Sequence, residues 1–349
     1  SSEQNGEHCS TTQSRLNMSA TIEHFESGIS QLLSSNINTM ERKKVLITGG
    51  SGYVGPFIAE ALLAASYRVA ITYNSKPVTI PFVSSFHLDF TNPSDSDFAA
   101  IFDDVDGFAP DVIVHAAACA NTVEAEENRN KADIVNVQGT VDLISHIRKM
   151  DTLFIFISTD LVYDGLNPPY DESVVPTPSC YYGVTKLKGE EEIQRLWPNH
   201  VILRSALEFG PKSPFSLKTT FLHFFDKQLS EGNILTCFDD EFRSVLYVKD
   251  IARLIRAIID RNVNAGEIQH RLYHVAGPEN LSRYEMARLL AEHRGYSLDR
   301  IVPVKAMSVS KHPRPPNTDF VISRMKEDFP ELTPTPFKEA IKDIFPPVK

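Results

Sequence analysis

The sequence predicts an α/β protein: a doubly wound parallel sheet of the Rossmann type, followed by a smaller C-terminal α/β region. Three observations carry this. Val45-Leu46-Ile47 runs into glycines at 49, 52 and 55, and an apolar helical pattern follows at once (Phe57, Ile58, Ala61, Leu62, Leu63). Further short apolar runs alternate with helix-patterned stretches, as βαβ units do. One of those runs, Leu153-Phe154-Ile155-Phe156-Ile157, is apolar without alternation, as a strand covered on both faces must be.

Taken in order, the chain begins with a polar stretch. Residues 1–42 are rich in Ser, Thr, Asn and Gln and are expected to be a mostly disordered extension. Ile22, Phe25, Ile29, Leu32 and Leu33 fall at helical spacing, so the alternative is a short amphipathic helix that docks on a partner or a neighbouring subunit. The stretch has no signal-peptide apolar block, and Arg15, the one arginine of the first forty residues, is too little positive charge for a mitochondrial presequence.

The glycine stretch Gly49-Gly50-Ser51-Gly52-Tyr53-Val54-Gly55 then sits between a strand and a helix, where a Gly-rich turn cradles a dinucleotide pyrophosphate. Gly49 can turn with positive φ, and Gly52 lets backbone approach the phosphates. Pro56 suits the first helical turn, whose open donors need no N–H from it. The bland alternative is an ordinary strand–helix turn.

Tyr67–Tyr73 reads as the second strand. Asp or Glu at its end would serve the 2′-hydroxyl of NAD; here Asn74, Ser75 and Lys76 follow, with no acid and one cation. That favours NADP(H) over NAD(H), although Lys76 could equally be a solvated loop lysine. Phe86-His87-Leu88-Asp89 reads as a third strand, with Asp89 at its exit able to meet the adenine edge. A helix is expected over 95–102.

Asp111–Ala118 is a buried strand whose end, His115-Ala116-Ala117-Ala118, is small enough for a flat cofactor to lie close; plain core packing is the alternative. Ile134, Val137, Val141, Ile144 and Ile147 predict one long helix over 132–149. Asn136, early in it, is either structural or part of a proton relay. After the 153–158 strand come Ser158-Thr159-Asp160 and a Pro-rich loop leading to Tyr181-Tyr182-Gly183-Val184-Thr185-Lys186. Tyr182 and Lys186, four apart on a helix, share a face. An ammonium beside a phenol lowers a pKa of about 10, which suits the phenol to acid–base work.

In composition, the 42% hydrophobic and 23% charged residues are ordinary for a globular chain of 349 residues. A net charge of −10 excludes a general nucleic-acid or anionic-membrane binder but leaves room for a local cationic pocket. Cys9, Cys119, Cys180 and Cys237 form no CxxC pair, so zinc and disulfide frameworks are poor readings, no metal site is expected, and a reducing, cytoplasmic interior fits better. No run approaches the ~18 apolar residues of a membrane span.

Thr48–Gly55, His115–Ala118, Ser158-Thr159-Asp160 and Tyr182-x-x-x-Lys186, in that order, resemble the extended short-chain dehydrogenase/reductase family. The finer resemblance is to its dTDP-4-dehydrorhamnose reductase-like branch, which includes the regulatory β subunit of methionine adenosyltransferase. It rests on Ser158–Gly165, Tyr182–Glu190 and Arg314-Pro315-Pro316-Asn317, and covers about Lys43 to Phe345. The resemblance implies a nucleotide domain over 43–204, to which some later segments return, and a mainly substrate-binding region over 205–349. It implies Thr159 on the substrate carbonyl oxygen and Tyr182 as proton donor. Lys186 would then hold the nicotinamide ribose and depress the tyrosine pKa, with Asn136 supporting Lys186 through water.

It also places Arg243 near substrate phosphates, with a surface salt bridge to Asp239, Asp240 or Glu241 as the alternative, and Arg314 as an arginine closing over substrate. The family's Leu-Asp shortly afterwards is Phe320-Val321 here. The expected substrate is a nucleotide sugar reduced with NADPH; the alternative is a non-catalytic NADP-binding subunit partnered by a methionine adenosyltransferase catalytic subunit, and self-association as a homodimer is the further partner considered. Of the remaining elements, Val201–Arg204 reads as a strand and Phe221, Leu222, Phe224, Phe225 and Leu229 as an amphipathic helix. Asp250 reads as the N-cap of a helix over 251–259, Ser282–Glu285 as a capping box, and Thr335-Pro336 as the cap and first-turn proline of a last helix.

Overall fold

The computed structural model describes residues 42–103, 105–216, 218–264 and 269–345, with Ser27 and Ser30 as isolated helical positions. The expected extension and its helix otherwise lie outside the described residues, as does Cys9.

The N-terminal half opens with β1 (Lys44–Thr48), α1 (Gly55–Ala64), β2 (Arg68–Tyr73), β3 (Val83–His87), α2 (Asp95–Phe102) and β4 (Val112–His115). Two short helices follow, α3 (Thr122–Glu127) and α4 (Arg129–Asp133), then a π turn over Ile134–Gln138 and α5 (Gly139–Ser145). β5 (Leu153–Thr159), α6 (Tyr181–Leu196) and β6 (His200–Ser205) complete it. The C-terminal half contains β7 (Leu207–Phe209), α7 (Phe221–Ser230), β8 (Leu235–Phe238), β9 (Phe242–Tyr247) and α8 (Val248–Ile259). Next are β10 (Leu272–Val275), β11 (Asn280–Ser282), α9 (Arg283–Arg294), β12 (Ile301–Val304) and α10 (Ala306–Val309), and last β13 (Asn317–Thr318), α11 (Ser323–Asp328) and α12 (Phe337–Ile344).

Seven strands form one parallel sheet in the order β10-β6-β5-β4-β1-β2-β3. Every residue of β5 and β6 is buried, as expected of interior strands whose middles, Leu153–Ile157 and Val201–Leu203, are apolar without alternation. Alternate residues serve opposite faces: Val45 and Ile47 join one core cluster, Leu46 the other. The chain returns to this sheet late, because β10 pairs with β6 and α8 packs on α1. The smaller layer centres on β9, which pairs with β11 on one side and with β13 and β7 on the other. A separate core under it joins α7, α9 and α12. Among the described residues no helix is long and apolar enough to cross a membrane.

Several elements differ from expectation. The third strand runs Val83–His87, so Leu88 and Asp89 follow it instead of ending it. The expected helix over 132–149 starts earlier, ends at Ser145 and carries the π turn; 3/4 spacing of apolar residues survives one extra residue in a turn, so the pattern concealed it. Asp250 is not an N-cap. Helix α8 starts at Val248, and the Asp250 carboxylate instead accepts from the Thr335 amide at 2.6 Å and its hydroxyl at 2.8 Å, tying the C-terminal segment down. Thr335 is thereby engaged, and Pro336 is itself the N-cap of α12. Ser282–Glu285 forms the expected capping box, and Gly295 closes α9 in the left-handed region.

Candidate active site

The strand order reverses between β1 and β4, and a cleft of about 1040 Å³ opens at their carboxyl ends. The glycine stretch forms one wall. Gly49 has φ +65°, and a Cβ there would lie 2.7 Å from the Ala117 Cα at the end of β4. A Cβ on Gly55 would lie 2.5 Å from the Gly50 Cα, so turn and helix start close directly on each other. Pro56 is in the first turn of α1, and no side chain caps that helix start among the described residues. The wall is thus bare backbone at an uncapped helix N-terminus, which fits a pyrophosphate. Ser51, Gly52, Tyr53 and Val54 line the same wall. The Tyr53 hydroxyl donates to the Pro211 carbonyl at 3.0 Å, pinning the glycine wall to the start of the C-terminal region.

Asn74, Ser75 and Lys76 are exposed and line the cleft beyond β2. Asp89 stands beside them, its Oδ1 accepting from Asn74 Nδ2 at 3.4 Å and from the Thr91 amide and hydroxyl at 2.9 and 2.7 Å. The end of β2 therefore does have a carboxylate neighbour, supplied by the exit of β3 and held in a local turn.

Ala116 and Ala117 line the cleft, but His115 does not. Its side chain is fully buried between strands: the Thr48 hydroxyl meets Nδ1 at 2.6 Å and the Thr140 hydroxyl meets Nε2 at 3.0 Å. Because Thr140 donates to the Asn136 carbonyl, a proton on Nε2 and an acceptor at Nδ1 satisfy the whole chain. Burial, then the Lys186 charge, pushes His115 down to about 3. It is a neutral tie between β1, β4 and α5, which corrects its expected role as a cofactor contact.

Asn136 takes up the structural alternative. It lies in the π turn, and its side chain is consumed by the Cys119 amide at 2.7 Å, the Cys119 carbonyl at 3.4 Å and the Thr185 hydroxyl at 2.9 Å. It fixes α6 through the neighbour of Lys186, with no direct bond to that lysine among the described residues.

Thr159, Tyr182 and Lys186 all line the cleft. Tyr181, the competing phenol, turns away to Asp133 at 2.5 Å. The Thr159 hydroxyl donates to Asp160 Oδ1 at 3.1 Å and accepts from the Leu161 amide at 3.2 Å. Lys186 is fully buried, and Nζ sits 3.8 Å from the Phe156 ring centroid. Burial dominates both members of the Tyr–Lys pair. It pushes Lys186 down to about 7, against the opposing pull of Glu190 and Glu208. It raises the Tyr182 phenol, helped by Glu208 and Asp160. The tyrosine pKa, expected to be depressed, is instead raised in this cleft, where burial and the neighbouring carboxylates Glu208 and Asp160 disfavour the phenolate.

Arg243 and Arg314 also line the cleft. Arg243 is buried, not on the surface, and pairs with Glu241 at 3.1 Å and Asp160 at 3.7 Å. Arg314 takes the same Glu241, Nη2 to Oε1 at 2.8 Å with Nε on Oε2. Burial raises Glu241, but the hydrogen bond from Arg314 and the surrounding guanidiniums hold it below its ordinary value. Phe320, at the expected Leu-Asp position, stacks on His274 at 3.9 Å and faces Tyr163 edge-on, so it packs the Pro-rich loop and makes no cleft wall.

Sequence reasoning missed Glu208 and Arg283 and considered Glu241 only as a surface partner of Arg243; all three line the cleft. Glu208 accepts from Ser205 at 2.8 Å, and burial pushes it up to about 7. Arg283 was concealed inside a capping-box motif; burial, opposed by Glu241 and aided by Arg243 and Arg314, pushes it down to about 10. Among the described residues there is no cluster of His, Cys, Asp and Glu that could hold a metal ion.

The family described as RmlD substrate binding domain matches residues 43–349. Methionine adenosyltransferase 2 subunit beta of Danio rerio is 28% identical over 304 residues, covering 86% of this chain and 90% of that one. A dTDP-4-dehydrorhamnose reductase of Aggregatibacter actinomycetemcomitans is 26% identical over 309 residues, covering 86% and 98%. The crystal structure of a Bacillus anthracis dTDP-4-dehydrorhamnose reductase in complex with NADP superposes with a TM-score of 0.73 at 22% identity, covering 87% of this chain and 99% of that one.

Proposed function

This chain belongs to the RmlD substrate binding domain family, with the fold of the extended short-chain dehydrogenase/reductases, and we propose that within it the protein is an NADPH-dependent reductase of a 4-keto sugar nucleotide. The observation that carries the proposal is one cleft lined by Thr159, Tyr182 and Lys186, by a phosphate-sized glycine cradle, and by Arg243 and Arg314.

The residues of the cleft fit a nicotinamide dinucleotide. The close-packed glycine turn and the uncapped start of α1 would hold the pyrophosphate, and exposed Lys76 would support a 2′-phosphate. When bound, NADPH supplies the hydride that reaches the carbonyl carbon. Tyr182 gives its phenolic proton to the carbonyl oxygen, so that a secondary alcohol results. Its raised pKa keeps the phenol protonated at neutral pH, the form a donor needs. Thr159 turns its hydroxyl from Asp160 to the substrate oxygen, and Lys186 presents its ammonium to the ribose. Arg243 and Arg314 meet the phosphates of the sugar nucleotide.

A second reading, a non-catalytic NADP-binding regulatory subunit partnered by a methionine adenosyltransferase catalytic subunit, is favoured by the β-subunit relatives and by the Thr159 hydroxyl being held on Asp160. One experiment separates the two. Purified protein is mixed with NADPH and a dTDP-4-keto-6-deoxy sugar, and NADPH absorbance is followed. Turnover that Tyr182→Phe abolishes supports the reductase. No turnover, together with co-purification of a methionine adenosyltransferase catalytic subunit, overturns it in favour of the second reading.

A further inference from the structure

The small sheet sets three guanidiniums around one carboxylate. Strand β9 is its centre, where Arg243 pairs with Leu281 of β11 on one side and with Thr318 of β13 on the other. Arg283 follows β11 directly, and Arg314 lies just ahead of β13, so the topology delivers both beside Arg243. Glu241, immediately before β9, is already engaged by Arg243 and Arg314. Asp160, the other buried carboxylate here, is taken up by Arg243 and by the hydroxyls of Thr159 and Thr318.

Arg283 differs from the other two. Its guanidinium lies 3.6 Å from the Phe221 ring centroid, which fixes the plane of the fork. Its Nη1 is buried and has no hydrogen-bond partner among the described residues. A buried, unpaired charged donor is costly unless a ligand answers it. Three guanidiniums facing two carboxylates leave an excess of positive charge on this wall, although the chain as a whole carries −10. A guanidinium fork matches phosphate oxygens, and a third fork beside those of Arg243 and Arg314, the one not already engaged by a carboxylate, is placed to take a second phosphate.

We propose that Arg283 is a substrate-contacting residue that reads the second phosphate of a nucleoside diphosphate sugar and so sets the preference of the cleft for diphosphate over monophosphate nucleotides. This rests on the nucleotide-sugar reading above. In a stacked site an ammonium does not replace a guanidinium, so Arg283→Lys retains the charge and loses the fork.

The test is equilibrium binding of dTDP, UDP and dTMP to the full chain, with NADP⁺ affinity as a check on the fold. The wild type binds one of the diphosphates more tightly than dTMP. Arg283→Gln weakens that diphosphate by about tenfold or more, leaving dTMP and NADP⁺ affinity unchanged. An unchanged diphosphate affinity, or equal losses of diphosphate and dTMP, overturns the proposal. If Arg283→Gln also loses NADP⁺, Arg283→Lys decides: a reduced diphosphate preference supports the proposal and a wild-type preference overturns it. A wild type that binds neither diphosphate overturns the nucleotide-sugar reading, and this inference falls with it.

Discussion

The ammonium of Lys186 lies 3.8 Å from the centre of the Phe156 ring, on the central, fully buried strand of the sheet. The ring face partly offsets the loss of water, yet burial still brings Lys186 from 10.5 down to about 7. Between these values the unfolded chain binds a proton that the folded protein does not. The contribution of Lys186 to stability therefore rises with pH across that window, and the penalty of burying its charge is largest below about pH 7. Lys186→Met is expected to raise the unfolding temperature of the unliganded protein at about pH 6, the difference closing towards about pH 10. Calorimetry at the two pH values checks this; an equal difference at both contradicts it.

Gly49 is the backbone position on which the cradle depends. A side chain there meets both positive φ and the Ala117 backbone. Gly49→Ala is expected to cost at least about 1–3 kcal/mol of stability and to abolish NADPH binding. Chemical denaturation and NADPH fluorescence report the two effects, and a variant with wild-type values in both contradicts the assignment.

The Thr159 hydroxyl, held on Asp160, must be redirected to stabilise a developing oxyanion. Thr159→Val should lower kcat by roughly 10²–10³ while leaving NADPH affinity unchanged. Steady-state kinetics with an NADPH titration measures both, and an unchanged kcat removes Thr159 from the chemistry.

The elements legible in the sequence were those that local pattern alone decides. The glycine turn, the unbroken apolar β5 and the capping box at Ser282 each contain their own physical reason. What was not legible depends on partners far along the chain. Asp250 looks like an N-cap until Thr335, brought in by the C-terminal segment, is seen to hold it. His115 sits at the end of a strand expected to meet the cofactor, but the Thr48 and Thr140 hydroxyls draw it inward. In the Tyr182–Lys186 pair the spacing was readable, whereas the balance of desolvation against charge depends on the depth of burial, which spacing does not encode. Arg283 was hidden because the motif around it has a complete structural explanation of its own.

Lys76 is exposed, so its contribution is screened and modest. Lys76→Ala is expected to weaken NADPH binding by about threefold to tenfold and NADH binding very little. Paired titrations test this, and equal losses for the two cofactors contradict a 2′-phosphate contact, leaving Asp89 as the charged group that matters at that end of the cleft.

Whether the cleft performs a reduction or only holds its cofactor is decided most directly by deuterium transfer. NADPH dideuterated at the nicotinamide C4 is incubated with a dTDP-4-keto-6-deoxy sugar, and the sugar nucleotide is analysed by mass spectrometry. The expected product is an alcohol carrying one deuterium on the former carbonyl carbon, formed by the wild type and not by Tyr182→Phe. Undiminished ketone and no deuterated product from a wild type that binds both ligands would contradict the reductase.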